Sequence, residues 1–412
     1  LTKPVAFIIF NRPDKAAIVF EKIRKYSPKQ LFVIADGPRP DKERDVQLCE
    51  ETRAVIQVDW DCDVKYFYAE ENLGCRRRIS SGLDEVFKQV EDAIILEDDC
   101  VPSEDFFEFC EELLDRYKHN DKITGISGNN FQQKNEYYKP EFSYYFSLFF
   151  HSSGWATWRR AWKLRDMRML DWPSYRQSDD FEKICYDPFF RKYWTNIFDQ
   201  TYEGKIDSWA YPFLFSSWSR NAFGIIPSVN LISNIGFDES ATHTTMYDNL
   251  EASLPTYPIN FPLEHPDVIE RNRMYDFFTC EMIYKINALK QQAITDQNKL
   301  KTVNKLILKN DYENYNFFQR NVYIFGYGEY GILLKKILEI KEIKISSFLT
   351  SYNPSPNILV EGTPIKSIDD LDLSTPSTIL ISIEGGHDVS IINELKNKFK
   401  GYDLEIISWK DL

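Results

Sequence analysis

Four short apolar runs, Val5 to Phe10, Gln30 to Ala35, Val64 to Tyr68 and Ala93 to Leu96, alternate with helix-patterned stretches through the first hundred residues. Helices are expected from about Asp14 to Tyr26, Asp41 to Val58 and Arg77 to Val90. A continuous apolar run of this length, bounded by turn residues, is what a strand buried on both faces requires. The βαβαβαβ order then implies an α/β fold with a mostly parallel sheet and helices on both sides. In such sheets ligands sit beyond the carboxyl ends of the strands. Arg12, Asp36, Asn72 and Asp99 all stand just past the end of a run, and that shared address is the first functional signal.

The remainder reads as more than one domain, as 412 residues would suggest. A helix from Phe106 to Tyr117 and a strand from Ile123 to Ser127 continue the first domain, taken here as 1–265. Residues 266–320 are polar and helix-patterned, and are expected to connect or bridge two domains. A second βαβ pattern opens at Asn321: the strand Val322 to Phe325, the turn Gly326-Tyr327-Gly328-Glu329-Tyr330-Gly331, a helix from Ile332 to Ile340, and strands near Ile345 to Leu349 and Thr378 to Ile383. A GxGxxG turn between strand and helix suits a phosphate, but Phe348-Leu349-Thr350-Ser351 offers hydroxyls where a dinucleotide site would place an acid. Residues 321–412 therefore read as a small Rossmann-like domain whose use is structural, interactive or nucleotide-binding.

Charge narrows the partners. A net charge of -13 argues against a nucleic-acid binder, which would show a basic face. A few arginines and a metal ion could still neutralise a diphosphate locally. Seven scattered cysteines without a CxxC pair read as reduced thiols of a cytoplasmic protein. No stretch approaches the roughly 20 apolar residues of a membrane span. The run from Val5 does not read as a signal peptide, and a chain opening on Leu1 leaves room for an upstream piece. The expected location is cytoplasmic, with peripheral attachment at the inner membrane face and homo-oligomers both compatible.

Glu97-Asp98-Asp99 follows an apolar run and precedes Cys100-Val101-Pro102-Ser103. Three consecutive carboxylates repel one another, and a divalent cation with a taste for hard oxygen ligands, Mg²⁺ or Mn²⁺, resolves that repulsion. Strand alternation would put Glu97 and Asp99 on one face and Asp98 on the other. The bland alternative is a loop start, with Ser103 capping the next helix.

The segment Ala93 to Phe109, AIILEDDCVPSEDFFEF, resembles the metal-binding segment of GT-A glycosyltransferases. It is most similar to the Golgi alpha-mannoside N-acetylglucosaminyltransferase family and its bacterial relatives. The resemblance runs in the same order over about residues 4 to 245: VAFIIFNRP from Val5, LFVIADG from Leu31 and NLGCRRRISSGL from Asn72 match the first strands, turns and the donor-side helix. It implies a GT-A nucleotide-diphospho-sugar transferase fold, with Asp99 as metal ligand and Glu97 and Asp98 on ribose or donor-sugar hydroxyls. Asp36 would take the base N–H, and Arg12 and Arg76 the diphosphate. Of Arg76, Arg77 and Arg78, no more than two can face one site.

Downstream, Gly154-Trp155-Ala156-Thr157-Trp158 resembles the family's loop lining the donor sugar, through Trp155. Lys205-Ile206-Asp207-Ser208-Trp209 resembles the segment of the catalytic base, which makes Asp207 the candidate and Asp179 and Asp180 the reserves. Asn234-Ile235-Gly236-Phe237-Asp238 through His243 closes the set, and His243 is a candidate second metal ligand. The resemblance implies an inverting, Mn²⁺- or Mg²⁺-dependent transfer of a sugar, GlcNAc among the candidates, from a UDP-sugar donor to a glycan or lipid-linked saccharide acceptor. A nucleotidyltransferase and a non-catalytic nucleotide-sugar-binding protein are the alternatives.

Overall fold

The computed structural model describes residues 2–185, 187–236, 253–284, 286, 290–291, 317–355, 358–382 and 388–409. It divides into two compact units, Leu1–Lys290 and Gln291–Leu412.

In the first unit β1 (Val5–Ile9), β2 (Gln30–Ala35), β3 (Asp63–Tyr68) and β4 (Asp92–Glu97) alternate with α1 (Pro13–Tyr26), α2 (Asp45–Ala54) and α3 (Gly74–Gln89). β5 (Cys100–Pro102), α4 (Asp105–Arg116), β6 (Ile123–Ser127), β7 (Tyr144–Ser147) and β8 (Trp155–Trp158) follow, then a run of helices: α5 (Arg159–Lys163), α6 (Trp172–Tyr175), α7 (Asp179–Ile184), α8 (Pro188–Tyr202) and α9 (Ala210–Trp218). β9 (Phe223–Pro227), β10 (Ile232–Asn234) and α10 (Arg273–Met282) complete the unit. The main sheet has the order β3-β2-β1-β4-β8-β6-β9-β7. β3, β2, β1 and β4 are parallel, whereas β8 is antiparallel to both β4 and β6. The α/β class and the mostly parallel, helix-flanked sheet are therefore as the alternation of apolar runs implied.

β1 explains why the runs are continuous. It pairs with β2 on one side and β4 on the other, and all five of its residues are buried. Val5, Phe7 and Ile9 face a core shared with α1 and α4, while Ala6 and Ile8 face a second core shared with α3, α8 and α9. Every position on such a strand needs an apolar side chain. Pro13 opens α1, where its missing N–H costs nothing, and Ser27 closes the helix in the left-handed region at φ 53°.

The aromatic richness of the middle of the chain is mostly core. Trp155, Trp162, Trp172, Trp194, Trp209 and Trp218 all belong to the second core, interlocked in edge and stacked contacts.

The 266–320 stretch contributes α10 to the first unit: Gln132 Nε2 donates to the Tyr275 carbonyl at 3.0 Å, and Asp276 accepts from Ser147 Oγ at 2.6 Å. In the second unit the sheet order is β13-β14-β12-β11-β15-β16. Its strands are β11 (Asn321–Phe325), β12 (Ile345–Thr350), β13 (Leu359–Val360), β14 (Thr363–Ser367), β15 (Ser377–Ile381) and β16 (Leu404–Ser408). All pair in parallel except β13 with β14. In the GYGEYG turn Gly326 sits at φ 97°, and a Cβ on Gly331 would lie 2.2 Å from the Gly326 carbonyl oxygen, so both positions require glycine.

Candidate functional site

The carboxyl ends of β1, β2 and β4 open into a cleft of about 280 Å³. Its walls come from the loop after β1 (Phe10, Arg12), the loop after β2 (Asp36, Arg39), the first turn of α3 (Gly74, Cys75, Arg78), the acidic turn Glu97 to Asp99, and Asn234 and Gly236 beyond β10.

The acidic turn is its centre. β4 ends at Glu97 and the chain turns at Asp98 and Asp99 before β5. That turn breaks the strand alternation expected for the triplet, and Asp98 and Asp99 converge on one partner instead of facing apart. Arg12 pairs with Asp98 and, through Nη1, with Asp99 Oδ2 at 2.9 Å. Asp98 is almost fully buried and also accepts from the Phe10 N–H at 3.2 Å. Burial opposes the charge on Arg12, but the two aspartates outweigh it and raise its pKa. Glu97 accepts no hydrogen bond among the described residues. Desolvation first, then repulsion from Asp99 and Asp98, pushes its pKa well up. Asp98 moves the same way, mainly through burial.

The segment 234–236 clamps this turn from outside. Ile235 N donates to the Asp99 carbonyl at 2.9 Å, and β10 pairs antiparallel with β5, Asn234 opposite Cys100. Asn234 Oδ1 accepts from Gly236 N at 2.8 Å, and a Cβ on Gly236 would stand 2.1 Å from Asp99 Oδ2. Only glycine lets the backbone come so close to that carboxylate.

Asp36 does a different job from the one the sequence suggested. Oδ1 accepts from the Gly37 and Leu73 N–H groups, each at 2.9 Å, and Oδ2 accepts from Asn72 Nδ2 and the Gly74 N–H, each at 3.1 Å. These four bonds use the lone pairs of the carboxylate, so Asp36 ties the β2 loop to the start of α3 and has none left for a base N–H. Burial raises its pKa and the backbone bonds only partly offset that.

Arg76 is likewise redirected. Its guanidinium donates to the Met167 carbonyl, away from the cleft, and Arg78 lines the cleft in its place. α3 begins at Gly74, so Cys75, Arg78 and Ile79 share one face at helical spacing and Arg76 does not. Arg78 donates to the Phe67 carbonyl at 2.8 Å, and burial lowers its pKa.

Arg39, not singled out in the sequence, forms a fork on Asp45 with Nε–Oδ2 at 2.6 Å and Nη2–Oδ1 at 3.0 Å. Asp45 also accepts from Asn11 Nδ2 at 2.9 Å, so it ties the β1 loop to the β2 loop. The Arg39 side-chain bond holds its pKa below the usual carboxylate value. The visible signal for Arg39 was its place, three residues past Asp36.

Trp155 does not line the cleft. It is fully buried and stacks on Trp209 at 5.0 Å and 18°. The consequence falls on Asp207, which is exposed two residues before Trp209 on the loop leading to α9. Trp209 anchors that loop in the aromatic core, and Asp207 Oδ2 comes within 3.2 Å of where a Cβ on Gly74 would stand. The Cys75 thiol registers the same neighbourhood: burial, then Glu97, Asp207 and Asp36, push its pKa up to about 12. Asp179 and Asp180 stand on the exposed first turn of α7, outside the cleft wall. His243 lies outside the described residues.

The core position of Trp155 has a testable consequence. Trp155→Phe should lower the melting temperature, by the loss of roughly 1–3 kcal/mol of packing. Nucleotide-sugar affinity should stay within about twofold of wild type. A large loss of affinity with an unchanged melting curve would put the ring back in the donor pocket.

No protein-family model matches the chain, and no curated protein matches it. Among the solved structures to which part of the chain is similar are the following three. Mannosyltransferase PcManGT from Pyrobaculum calidifontis, in complex with GDP-Man and Mn²⁺, is 12% identical over 39% of this chain and 46% of its own, with a TM-score of 0.28. TarS residues 1–349 from S. aureus is 16% identical over 39% and 48%, with a TM-score of 0.27. Mouse xyloside xylosyltransferase 1 in its apo form is 12% identical over 52% and 81%, also with a TM-score of 0.27. The match spans about half the length of the first two. The functional reading rests on the residues of the cleft.

Proposed function

We propose that this chain is a GT-A glycosyltransferase that holds a nucleotide-diphosphate sugar in the cleft beyond β1, β2 and β4. The observation that carries the reading is the convergence of three carboxylates, Glu97 to Asp99, with three arginines, Arg12, Arg39 and Arg78, around one cavity. That mixture suits a ligand whose anionic part needs cations and whose hydroxyls need acceptors.

The donor set also fits a hard divalent cation. Asp98 is committed to Arg12 and Phe10, and Asp99 Oδ2 to Arg12, which leaves Glu97 and Asp99 Oδ1, whose protein contact is the Cys100 thiol at 3.3 Å. No cluster of three or more ligands occurs among the described residues. Mg²⁺ and Mn²⁺ sites completed by substrate phosphates take only one or two carboxylates. When bound, the cation would neutralise charge on the departing diphosphate.

The chain's own residues do the rest. Arg12 and Arg39 orient the diphosphate, and Glu97 accepts from ribose or sugar hydroxyls. Asn72 lines the cleft and its Nδ2 is used by Asp36 and the Gly37 carbonyl, so its Oδ1 is the acceptor left for a base N–H, the role Asp36 has no lone pair to fill. Asp207 removes the proton from an acceptor hydroxyl as that oxygen attacks the anomeric carbon, which inverts its configuration. A UDP-sugar such as UDP-GlcNAc is the proposed donor, and a glycan or lipid-linked saccharide the acceptor.

Thermal shifts with UDP-, GDP- and CMP-sugars in Mn²⁺ test the reading. A UDP-sugar should raise the melting temperature and release UDP on turnover. Pyrophosphate as product would point to a nucleotidyltransferase, and no response to any nucleotide sugar would end the proposal.

A further inference from the structure

A second cleft of about 270 Å³ opens at the amino-terminal ends of β6 and β9, two inner strands of the main sheet. Lys122 immediately precedes β6, and its carbonyl accepts from the N–H of Phe223, the first residue of β9, at 2.8 Å. Lys183 from α7, Arg271 just before α10 and Arg273 at its first position bring the lining to four cations, against a single lining carboxylate, Glu270. In a chain of net charge -13 such a concentration of positive charge is not what random surface composition would place there.

The pairing of these cations separates the cleft from an ordinary solvated face. Among the described residues, the side chains of Lys122, Arg271 and Arg273 make no ion pair and no hydrogen bond. Lys183 has only Asp180 on its own helix, at 3.6 Å. Arg273 is exposed and Arg271 half-buried, each with its guanidinium fork open to a ligand. Asp276 feels the Arg271 charge, but it is held by Ser147 Oγ at 2.6 Å and the Leu148 N–H at 3.1 Å, not by the guanidinium. Arg271 just precedes α10 and Arg273 is its first residue; both are on the cleft wall, so two forks flank one space.

We infer that this cleft is a second anion site, separate from the cleft beyond β1, β2 and β4, and that it takes a phosphoryl group of about diphosphate size. Guanidinium forks match phosphate oxygens in pairs, and four cations suit a ligand of two or three negative charges. Ile184, Phe223 and Ile269 form an apolar flank, which fits a phosphoryl group carried on a larger body. The phosphate has two sources, a soluble phosphoanion or a lipid headgroup.

The two sources are separated by two measurements on the full chain. Calorimetric titration with sodium pyrophosphate, in EDTA to suppress metal-dependent binding elsewhere, reads the soluble form. Co-sedimentation with phosphatidylglycerol vesicles against phosphatidylcholine vesicles reads the lipid-borne form. Wild type should bind in at least one arm, and Arg271→Gln/Arg273→Gln should weaken that binding by about tenfold or more. Lys122→Gln, an exposed change, should weaken it less and serves if the double variant folds poorly. Loss confined to pyrophosphate assigns a soluble phosphoanion, and loss on vesicles assigns a lipid headgroup. Wild type that binds in neither arm, or variants that match wild type in both, overturns the inference. Nucleotide-sugar affinity should be the same in all of these proteins, so failure here is distinct from failure of the transferase reading.

Discussion

Asp99→Asn should lower kcat/KM for donor turnover by about a thousandfold, or about 4 kcal/mol of transition-state stabilisation, in a protein that still folds. The chain's geometry makes this residue the sensitive one. Asp98 is buried against Arg12 and the Phe10 N–H, so its charge is already spent inside the protein. Asp99 is the member of the turn that faces both Arg12 and the cleft, with Gly236 pressed against its outer oxygen. Asn keeps the shape and the Ile235–Asp99 backbone bond but removes the charge. The fold should survive because Arg12 retains Asp98. Asp98→Asn should behave differently: it strips a buried guanidinium of its closest partner and should cost stability as well as activity. Free Mn²⁺ measured by electron paramagnetic resonance, read beside UDP release and a circular dichroism melt, separates the two variants. Full turnover of Asp99→Asn in EDTA would remove the metal from the mechanism.

The sheet was legible in the sequence because burial on both faces leaves little choice of side chain. β1 had to be apolar at every position and β2 and β4 at every position but their end residues, and their ends named the loops that carry Arg12, Asp36 and Asp99. The roles within those loops were less legible, because they depend on which direction each side chain takes. Asp36 reads as a ligand-facing acid until the three N–H groups of residues 37, 73 and 74 are seen to point at it. The choice between Arg76 and Arg78 turns on where α3 begins. A start at Gly74, with φ 77°, rotates Arg78 inward and Arg76 outward, and no pattern in three consecutive arginines reveals that. Trp155 beside Gly154 looked like a ring placed for close approach to a sugar. Gly154 is glycine for another reason: at φ 71° a Cβ there would lie 2.5 Å from the Ile232 side chain. The pairing of Asp98 and Asp99 on Arg12 was hidden in the same way, by a turn that the run of carboxylates does not announce.

Asp207→Asn should reduce kcat by about 10²- to 10⁴-fold while leaving donor affinity nearly unchanged. The split follows from position. Asp207 stands at the rim, exposed, with its carboxylate over Gly74, and it makes no bond to the residues that would hold the nucleotide. On the proposed reading, a rim carboxylate would contribute little to holding a donor whose diphosphate lay against Arg12, but an acceptor arriving from solvent could reach it. Its placement depends on Trp209, which stacks on Trp155. Trp209→Phe should therefore lower kcat several-fold through loss of positioning, since a displacement near 1 Å at a reacting group costs up to about a hundredfold. The melting temperature should fall with it. Asn and Phe variants then differ in kind: the first would remove the proposed base from a stable protein, and the second would loosen the loop that carries it. If Asp207→Asn instead weakened donor binding and kept kcat, the carboxylate would belong to the donor side, and the base would have to be sought among residues facing the acceptor.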